Sequence, residues 1–253
     1  MNDAFSLDGK CALVTGASRG LGRGMAEALA EAGADVVCAS TSEGGTDATA
    51  AAVRETGQAA WQVAADLGDR AALDALTREV NDKAGAIDIL VNNAGTIRRH
   101  PATEFPTDDW DTVLKVNLDA VFLLSRHFGK RMIERGRGKI INVASLLSYT
   151  GGITVPAYTA SKHGVAGLTK ALANEWAEKG VQVNAIAPGY FRTDNTKPLR
   201  EDEKRAEAIT ERIPAGRWGE PEDLAGAVVF LASPASAYVN GHVLIADGGF
   251  SIV

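Results

Sequence analysis

The chain has little that would anchor it in a membrane, cross-link it or fasten it to a polyanion. Its 253 residues contain no run of about 18 consecutive apolar residues, the length a membrane-spanning helix needs. The first ten residues, MNDAFSLDGK, lack a basic leader followed by a long apolar stretch. No secretory signal is therefore expected, and the cytoplasm is the expected location. Cysteine is scarce: Cys11 and Cys38 are too few for a disulfide framework. Both lie in apolar, strand-like runs. If those runs are parallel neighbours, Cys11 enters one strand and Cys38 leaves the other, at opposite ends and out of bonding reach. The four histidines, His100, His127, His163 and His242, show no metal-ligand spacing, so no metal site is expected. Basic residues are in deficit, 26 Lys and Arg against 32 Asp and Glu, for a formal net charge of -6. Such a surface repels phosphate polyanions, and a nucleic-acid partner is not expected.

What is present is ordinary for a globular protein: 45% hydrophobic and 23% charged residues, enough for a large core. Seven short apolar runs read as strands, at 11–15, 35–39, 60–64, 87–92, 139–144, 181–187 and 242–246. Several are apolar on consecutive positions, the pattern of a strand buried on both faces. Helical patterns alternate with them, among them 21–32, 71–84, 108–135 and 157–179. This alternation, with no shift in composition, predicts an α/β fold: one domain over 1–253, a doubly wound parallel seven-stranded sheet with helices on both faces. One segment breaks the rhythm. Residues 190–213 are polar, include the charged stretch LREDEKRAEAITER, and follow the sixth strand. Ligands of such sheets bind outside the carboxyl ends of the strands, so the segment is expected to be a substrate lid rather than a merely solvated helix.

The first strand runs into Thr15-Gly16-Ala17-Ser18-Arg19-Gly20-Leu21-Gly22, and a helix follows. Gly16, Gly20 and Gly22 allow a tight turn and let backbone N–H groups approach a pyrophosphate, to which the helix N-terminus adds partial positive charge. The strand-before, helix-after context is what gives a glycine trio meaning. A single tight turn would explain one glycine but not all three. The second strand ends at Ser40-Thr41-Ser42. A carboxylate there would grip a ribose 2′-hydroxyl and repel a 2′-phosphate. Hydroxyls with a nearby guanidinium, that of Arg19, favour NADP(H), with NAD(H) as the alternative. Glu43 is the residue that speaks for NAD(H).

Tyr158 and Lys162 stand four residues apart in a helical pattern and so share one face. Ser145 follows the fifth strand, and Asn117 interrupts a helical stretch where Asn is a poor former. With the glycine loop, Asn92-Asn93-Ala94-Gly95 after the fourth strand, and Pro188-Gly189 after the sixth, these residues resemble the short-chain dehydrogenase/reductase family over nearly the whole chain. Y-x-x-x-K alone would mean little; the combination is specific. The resemblance implies a Rossmann-type fold and hydride transfer between a nicotinamide and a carbonyl or secondary alcohol. It implies Tyr158 as acid/base, Lys162 as its tuner and a binder of the nicotinamide ribose, Ser145 as donor to the reacting oxygen, and Asn117 as holder of a water linked to Lys162. It further implies Asp66 and Leu67 at the adenine, Asn93, Ala94 and Gly95 beside the adenosine ribose, and Pro188, Gly189 and Thr193 at the carboxamide. Physically, a nearby ammonium favours phenolate and lowers a phenol whose ordinary pKa is about 10.

For the substrate, Ile97-Arg98-Arg99-His100 follows the Asn-Asn-Ala-Gly turn, and two arginines there suggest a carboxylate, which guanidinium binds in a fork. Arg98, Ser145, Leu147, Tyr158 and Arg217 are the expected substrate contacts. The stretches AFSLDGK, ANEWA, VNAIAPGY and YVNGH resemble bacterial family members that act on keto-deoxy sugar acids of uronate breakdown. Ser40-Thr41-Ser42 departs from them and resembles NADPH-using ketoacyl reductases. The alternatives are a 3-oxoacyl-[acyl-carrier-protein] reductase, with Arg126, Lys130 and Arg131 as a basic patch for the carrier, a gluconate 5-dehydrogenase, and a non-catalytic NADP(H)-binding regulator. Intact Asn117, Ser145, Tyr158 and Lys162 speak against the last. The resemblance also implies a homotetramer, for which the apolar segment from His242 to Val253 offers a packing surface.

Overall fold

A computed structural model describes residues 3–253. Seven parallel strands form one sheet: β1 (Cys11–Thr15), β2 (Asp35–Ser40), β3 (Ala60–Ala64), β4 (Ile89–Asn92), β5 (Gly138–Val143), β6 (Val181–Pro188) and β7 (Val243–Ala246), in the order β3-β2-β1-β4-β5-β6-β7. The consecutive apolar runs are explained by this placement. β1 and β4 are buried at every position, as expected for strands covered on both faces. The order reverses between β1 and β4, the switch point at which such sheets open a crevice. Because all strands are parallel, their carboxyl ends, where Thr15, Asn92, Val143 and Pro188 lie, share one edge.

Helices cover both faces. On one, α1 (Gly20–Glu31), α2 (Asp47–Glu55) and α9 (Ala225–Ala232) pack Met25, Leu29, Val53 and Val228 against Val14, Val36 and Ile186. On the other, α3 (Arg70–Ala84), α5 (Ala120–Glu134) and α6 (Pro156–Trp176) pack Leu76, Phe128 and Trp176 against Leu13, Leu90 and Ile140. Cys11 pairs with Asp35 and Cys38 with Val14, so the two buried thiols sit at opposite ends of adjacent strands. Burial pushes each up to about 12.

One departure from the sequence reading, and one segment that reading singles out, bear on the site. The pattern at 108–135 is not one helix. α4 (Thr107–Leu114) passes through a π-helical turn, Lys115–Asp119, into α5. Such a turn inserts an extra residue to re-aim side chains, and here it turns Asn117 fully inward. The span 190–213 is also more than a solvated helix. It holds α7 (Lys197–Arg200) and α8 (Glu203–Glu211), and Ile209, Ile213 and Trp218 gather Tyr190, Leu199 and Phe250 into a small apolar cluster of their own. Trp218 Nε1 donates to Thr210 Oγ1 at 2.9 Å, closing that cluster. The rest of α8 is half-buried at Ala206 and Thr210 and otherwise exposed; Ile209 is its one buried residue. No described helix is long and apolar enough to cross a membrane.

Candidate active site

The first wall of the cleft is the glycine loop. Gly16 has φ +65, and a Cβ there would lie 2.9 Å from Ala94 Cα. A Cβ on Gly22 would lie 2.1 Å from Gly16 O and 2.4 Å from Asn93 Nδ2. Only glycine lets the loop close on itself this tightly. The loop is pinned from β4: Asn93 Nδ2 donates to Thr15 O (2.9 Å) and Gly16 O (3.2 Å), while the Asn93 and Ala94 N–H groups both donate to Thr15 Oγ1. The Asn93 side chain is thus spent on fixing the turn. On the other side, Ala17 N–H donates to Ala39 O at 2.9 Å, which sets the loop against the end of β2. Arg19, at the N-cap of α1, gives the helix no side-chain cap. The first-turn N–H groups at Gly20, Leu21 and Gly22 therefore lack that partner and line the cleft. An uncapped helix N-terminus behind a collapsed glycine turn fits a pyrophosphate.

The second wall carries the titratable groups. β5 ends beside Ser145, the N-cap of a short 3-10 turn, and its Oγ accepts from Leu147 N–H at 3.1 Å. Pro156 opens α6 at its first position, where its missing N–H is harmless, and Tyr158 and Lys162 follow one turn apart on one face. Burial is the largest influence on the Tyr158 hydroxyl and raises its pKa above the ordinary value, with the nearby Ser145 hydroxyl and the Arg99 charge pulling the other way. Lys162 is buried, donates from Nζ to Val143 O at 2.6 Å and sits 5.6 Å from the centre of the Tyr158 ring. Burial lowers its pKa to about 8, so the ammonium prevails at neutral pH. Asn117 accepts from Thr96 N–H (2.8 Å), donates to Thr96 O (2.9 Å) and donates to Ser161 Oγ (3.2 Å). It ties the loop after β4 to α6 and touches neither Tyr158 nor Lys162 through those bonds.

Between these walls lies a cleft of about 760 Å³. Most of the expected residues line it: Gly16, Ser18, Arg19, Gly20, Leu21, Gly22, Thr41, Asp66, Leu67, Asn93, Ala94, Gly95, Arg98, Ser145, Tyr158, Lys162, Pro188, Gly189 and Thr193. Five do not. Asn117 lies beneath the wall. Ser40 turns its hydroxyl onto Ser42 O at 2.9 Å, and Ser42, like Leu147, is absent from the lining. Arg217 is outside as well, locked in a fork on Asp223 at 2.6 and 2.8 Å. Arg98 lines the cleft, but its guanidinium is tied to Asp109 Oδ1 (3.2 Å) and Thr96 Oγ1 (2.9 Å). Its neighbour Arg99, which the sequence reading leaves out of the expected contacts in favour of Arg98, is the one whose charge acts on Tyr158. Arg99 itself is lowered, by burial first and then by Arg205 of α8. Phe191 and Asp194 of the expected lid also line the cleft, as do Thr112, Val116 and Pro221, which no sequence pattern marks. They are loop or helix-face residues of types that carry no signature.

Fold, loop and Ser-Tyr-Lys wall together define a nucleotide-dependent oxidoreductase, and comparison with known proteins agrees. A family profile described as enoyl-(acyl carrier protein) reductase matches residues 16–251. A relative from Bacillus subtilis, named 2-dehydro-3-deoxy-D-gluconate 5-dehydrogenase, is 55% identical over 250 residues, covering 99% of this chain and 98% of that one. Among solved structures, a protein of Agrobacterium tumefaciens with bound NADP superposes with a TM-score of 0.92 at 53% identity, over 100% of both chains. A gluconate 5-dehydrogenase from Burkholderia cenocepacia, in complex with NADP and tartrate, superposes with a TM-score of 0.95 at 43% identity, over 99% of this chain and 98% of that one. The chain belongs to the short-chain dehydrogenase/reductase family.

Proposed function

We propose that the protein transfers a hydride between NADP(H) and a keto or hydroxy group of a deoxy sugar acid, the reaction type of 2-dehydro-3-deoxy-D-gluconate 5-dehydrogenase. The observation that carries this reading is the cleft wall of Ser145, Tyr158 and Lys162 together with Arg99, whose guanidinium donates to the cleft-lining Asn195 O at 3.0 Å and whose charge acts on Tyr158. A positive charge acting on the acid/base suits a substrate whose carboxylate lies within reach of its reacting carbon. The names of the B. subtilis and B. cenocepacia relatives, and the tartrate in the latter, point to the same class.

The residues divide as follows. Gly16, Ser18, Gly20, Leu21 and Gly22 hold the cofactor's pyrophosphate by backbone N–H groups. Thr41 and Arg19 face the 2′-position. Asp66, Leu67, Asn93, Ala94 and Gly95 hold the adenosine half, and Lys162, Pro188, Gly189 and Thr193 the nicotinamide half. When bound, the cofactor supplies or takes the hydride. The absence of a carboxylate at the end of β2 and the NADP in the A. tumefaciens and B. cenocepacia structures favour NADP(H) over NAD(H). Ser145 donates to the reacting oxygen. Tyr158, whose raised pKa keeps the phenol protonated in the open cleft, hands its hydroxyl proton to that oxygen in reduction and takes it back in oxidation. The Lys162 ammonium steadies the phenolate left behind, and Asn117 holds the Thr96 loop and α6 in register. The span 190–213 acts as the lid. The chain acts in the cytoplasm as a homotetramer, with β7 at the open edge of the sheet and exposed Tyr238, Ile252 and Val253 as apolar packing surface; light scattering behind a sizing column tests the assembly.

The test is the initial rate on a keto-deoxy sugar acid with NADPH and NADH in parallel, beside an acetoacetyl thioester. Turnover of the sugar acid, faster with NADPH, is expected. Turnover of the thioester alone would overturn the substrate class, and a preference for NADH would overturn the cofactor.

A further inference from the structure

We propose that Asp194 sets how strongly the protein prefers NADP(H) over NAD(H), by competing with the cofactor's 2′-phosphate for the guanidinium of Arg19. The inference rests on the NADP(H) reading above and extends it to a residue of the lid.

Arg19 and Asp194 come from opposite sides of the cleft, one from the glycine loop and one from the span that follows β6, and both line it. They meet in an ion pair, Nε to Oδ2 at 2.6 Å, with both side chains mostly exposed, 73% and 66%. The contact is part of a wider closure. A Cβ on Gly20 would lie 3.4 Å from Thr193 Cγ2, so the span rests directly on the loop. One residue on, Asn195 O accepts from Arg99 Nη2 at 3.0 Å. The end of β2 offers a 2′-phosphate little else. Ser40 has its hydroxyl on Ser42 O, and Ser42 lies outside the lining, leaving Thr41 and Arg19 among the described lining residues. The guanidinium of Arg19 is the attraction suited to a 2′-phosphate, and in this structure a carboxylate occupies it.

The consequence is a partial offset. A 2′-phosphate must displace Asp194 from Arg19 and then tolerate that carboxylate nearby, and both effects weaken NADP(H). NAD(H), with a hydroxyl at that position, meets neither. Because the pair is exposed, the effect is modest: removing the carboxylate should sharpen the preference about two- to five-fold. It should also shrink as salt is added.

The experiment is calorimetric binding of 2′,5′-ADP and 5′-ADP to the full chain and to Asp194→Asn, Arg19→Ala and the double variant. These ligands need no turnover and differ only in the 2′-phosphate. Asp194→Asn should tighten 2′,5′-ADP about two- to five-fold and leave 5′-ADP unchanged. On the Arg19→Ala background the same substitution should have a clearly smaller effect on 2′,5′-ADP, only the relief of like-charge repulsion, and none on 5′-ADP. A residue that merely braced the lid would move both ligands together, and that result would overturn the inference. An undiminished effect of Asp194→Asn without Arg19 would overturn it too, since competition for Arg19 would then be irrelevant. If wild type binds the two ligands alike and Arg19→Ala changes neither, the NADP(H) reading falls and the inference with it. If wild type discriminates, Arg19→Ala abolishes the discrimination and Asp194→Asn leaves the ratio unmoved, the inference alone falls.

Discussion

The floor of the cleft is knit by side chains that water does not reach. Asn92, Asn117 and Asn142 are 2% or less exposed. Asn92 donates to Ser125 Oγ and Asn142 Oδ1, and Asn142 donates to Thr169 Oγ1, all at 3.0 Å or less. The roof is held otherwise. Arg19–Asp194, Arg192–Glu220 and Arg217–Asp223 are ion pairs of largely exposed side chains, each worth little. Its apolar cluster around Trp218 is small and separate from the main cores. Buried polar bonds are costly to break and hold a geometry; exposed pairs exchange partners readily. The difference assigns precise positioning of Tyr158 and Lys162 to the floor, and opening, closing and selection to the roof.

The sharpest way to break this contrast is on the floor. Tyr158→Phe removes the proton donor and should lower kcat about 10²- to 10⁴-fold with NADPH affinity little changed; single-turnover rates and cofactor titration read the two separately. Near-wild-type turnover would remove Tyr158 from the chemistry. Next is Asn117→Ala, which strips two partners from Thr96 and one from Ser161. It should cost about 1–3 kcal/mol in urea unfolding, far more than any one roof pair.

How much of this was legible in the sequence follows the same division. Buried parallel strands must be apolar on both faces, so all seven runs were readable within a residue or two. The glycine loop and Tyr158-x-x-x-Lys162 were readable because chemistry restricts those residue types. The π-turn at Lys115–Asp119 left only an odd Asn in a helical pattern. The roof left less. An arginine's partner is chosen by tertiary approach, so nothing local separated Arg98, tied to Asp109, from Arg99, which holds Asn195 O and whose charge acts on Tyr158. Nor did anything mark Arg217 as bound to Asp223, or Asp194 as the partner of Arg19.

Smaller effects sharpen the contrast through pH. Lys162 is held at about 8 by burial against an ordinary value of 10.5. Between pH 8 and 9 the folded chain sheds a proton that the unfolded chain keeps, so stability rises with pH there, by up to about 1 kcal/mol. Lys139, also lowered to about 8 by burial, adds to that rise, so Lys162→Met should reduce it in urea unfolding without abolishing it. Above about pH 9 the raised Cys11 and Cys38 thiols work in the opposite sense. The smallest effect belongs to the roof. Arg217 holds Asp223 down to about 2, so the pair's contribution is intact at neutral pH and is lost only as pH falls from the ordinary carboxylate range towards 2. Because both groups are exposed, Arg217→Ala should leave the neutral-pH melting curve and the substrate KM where they were. A raised KM would return Arg217 to the substrate site.

The central claim is that the Arg99 charge acting on Tyr158 selects a carboxylate, and the most direct measurement is the steady-state kinetics of Arg99→Ala on a keto-deoxy sugar acid and on its uncharged analogue. Loss of a charge-assisted hydrogen bond should raise KM for the acid about tenfold or more, with the analogue barely affected and Arg98→Ala milder on both. An equal change on acid and analogue would contradict the account.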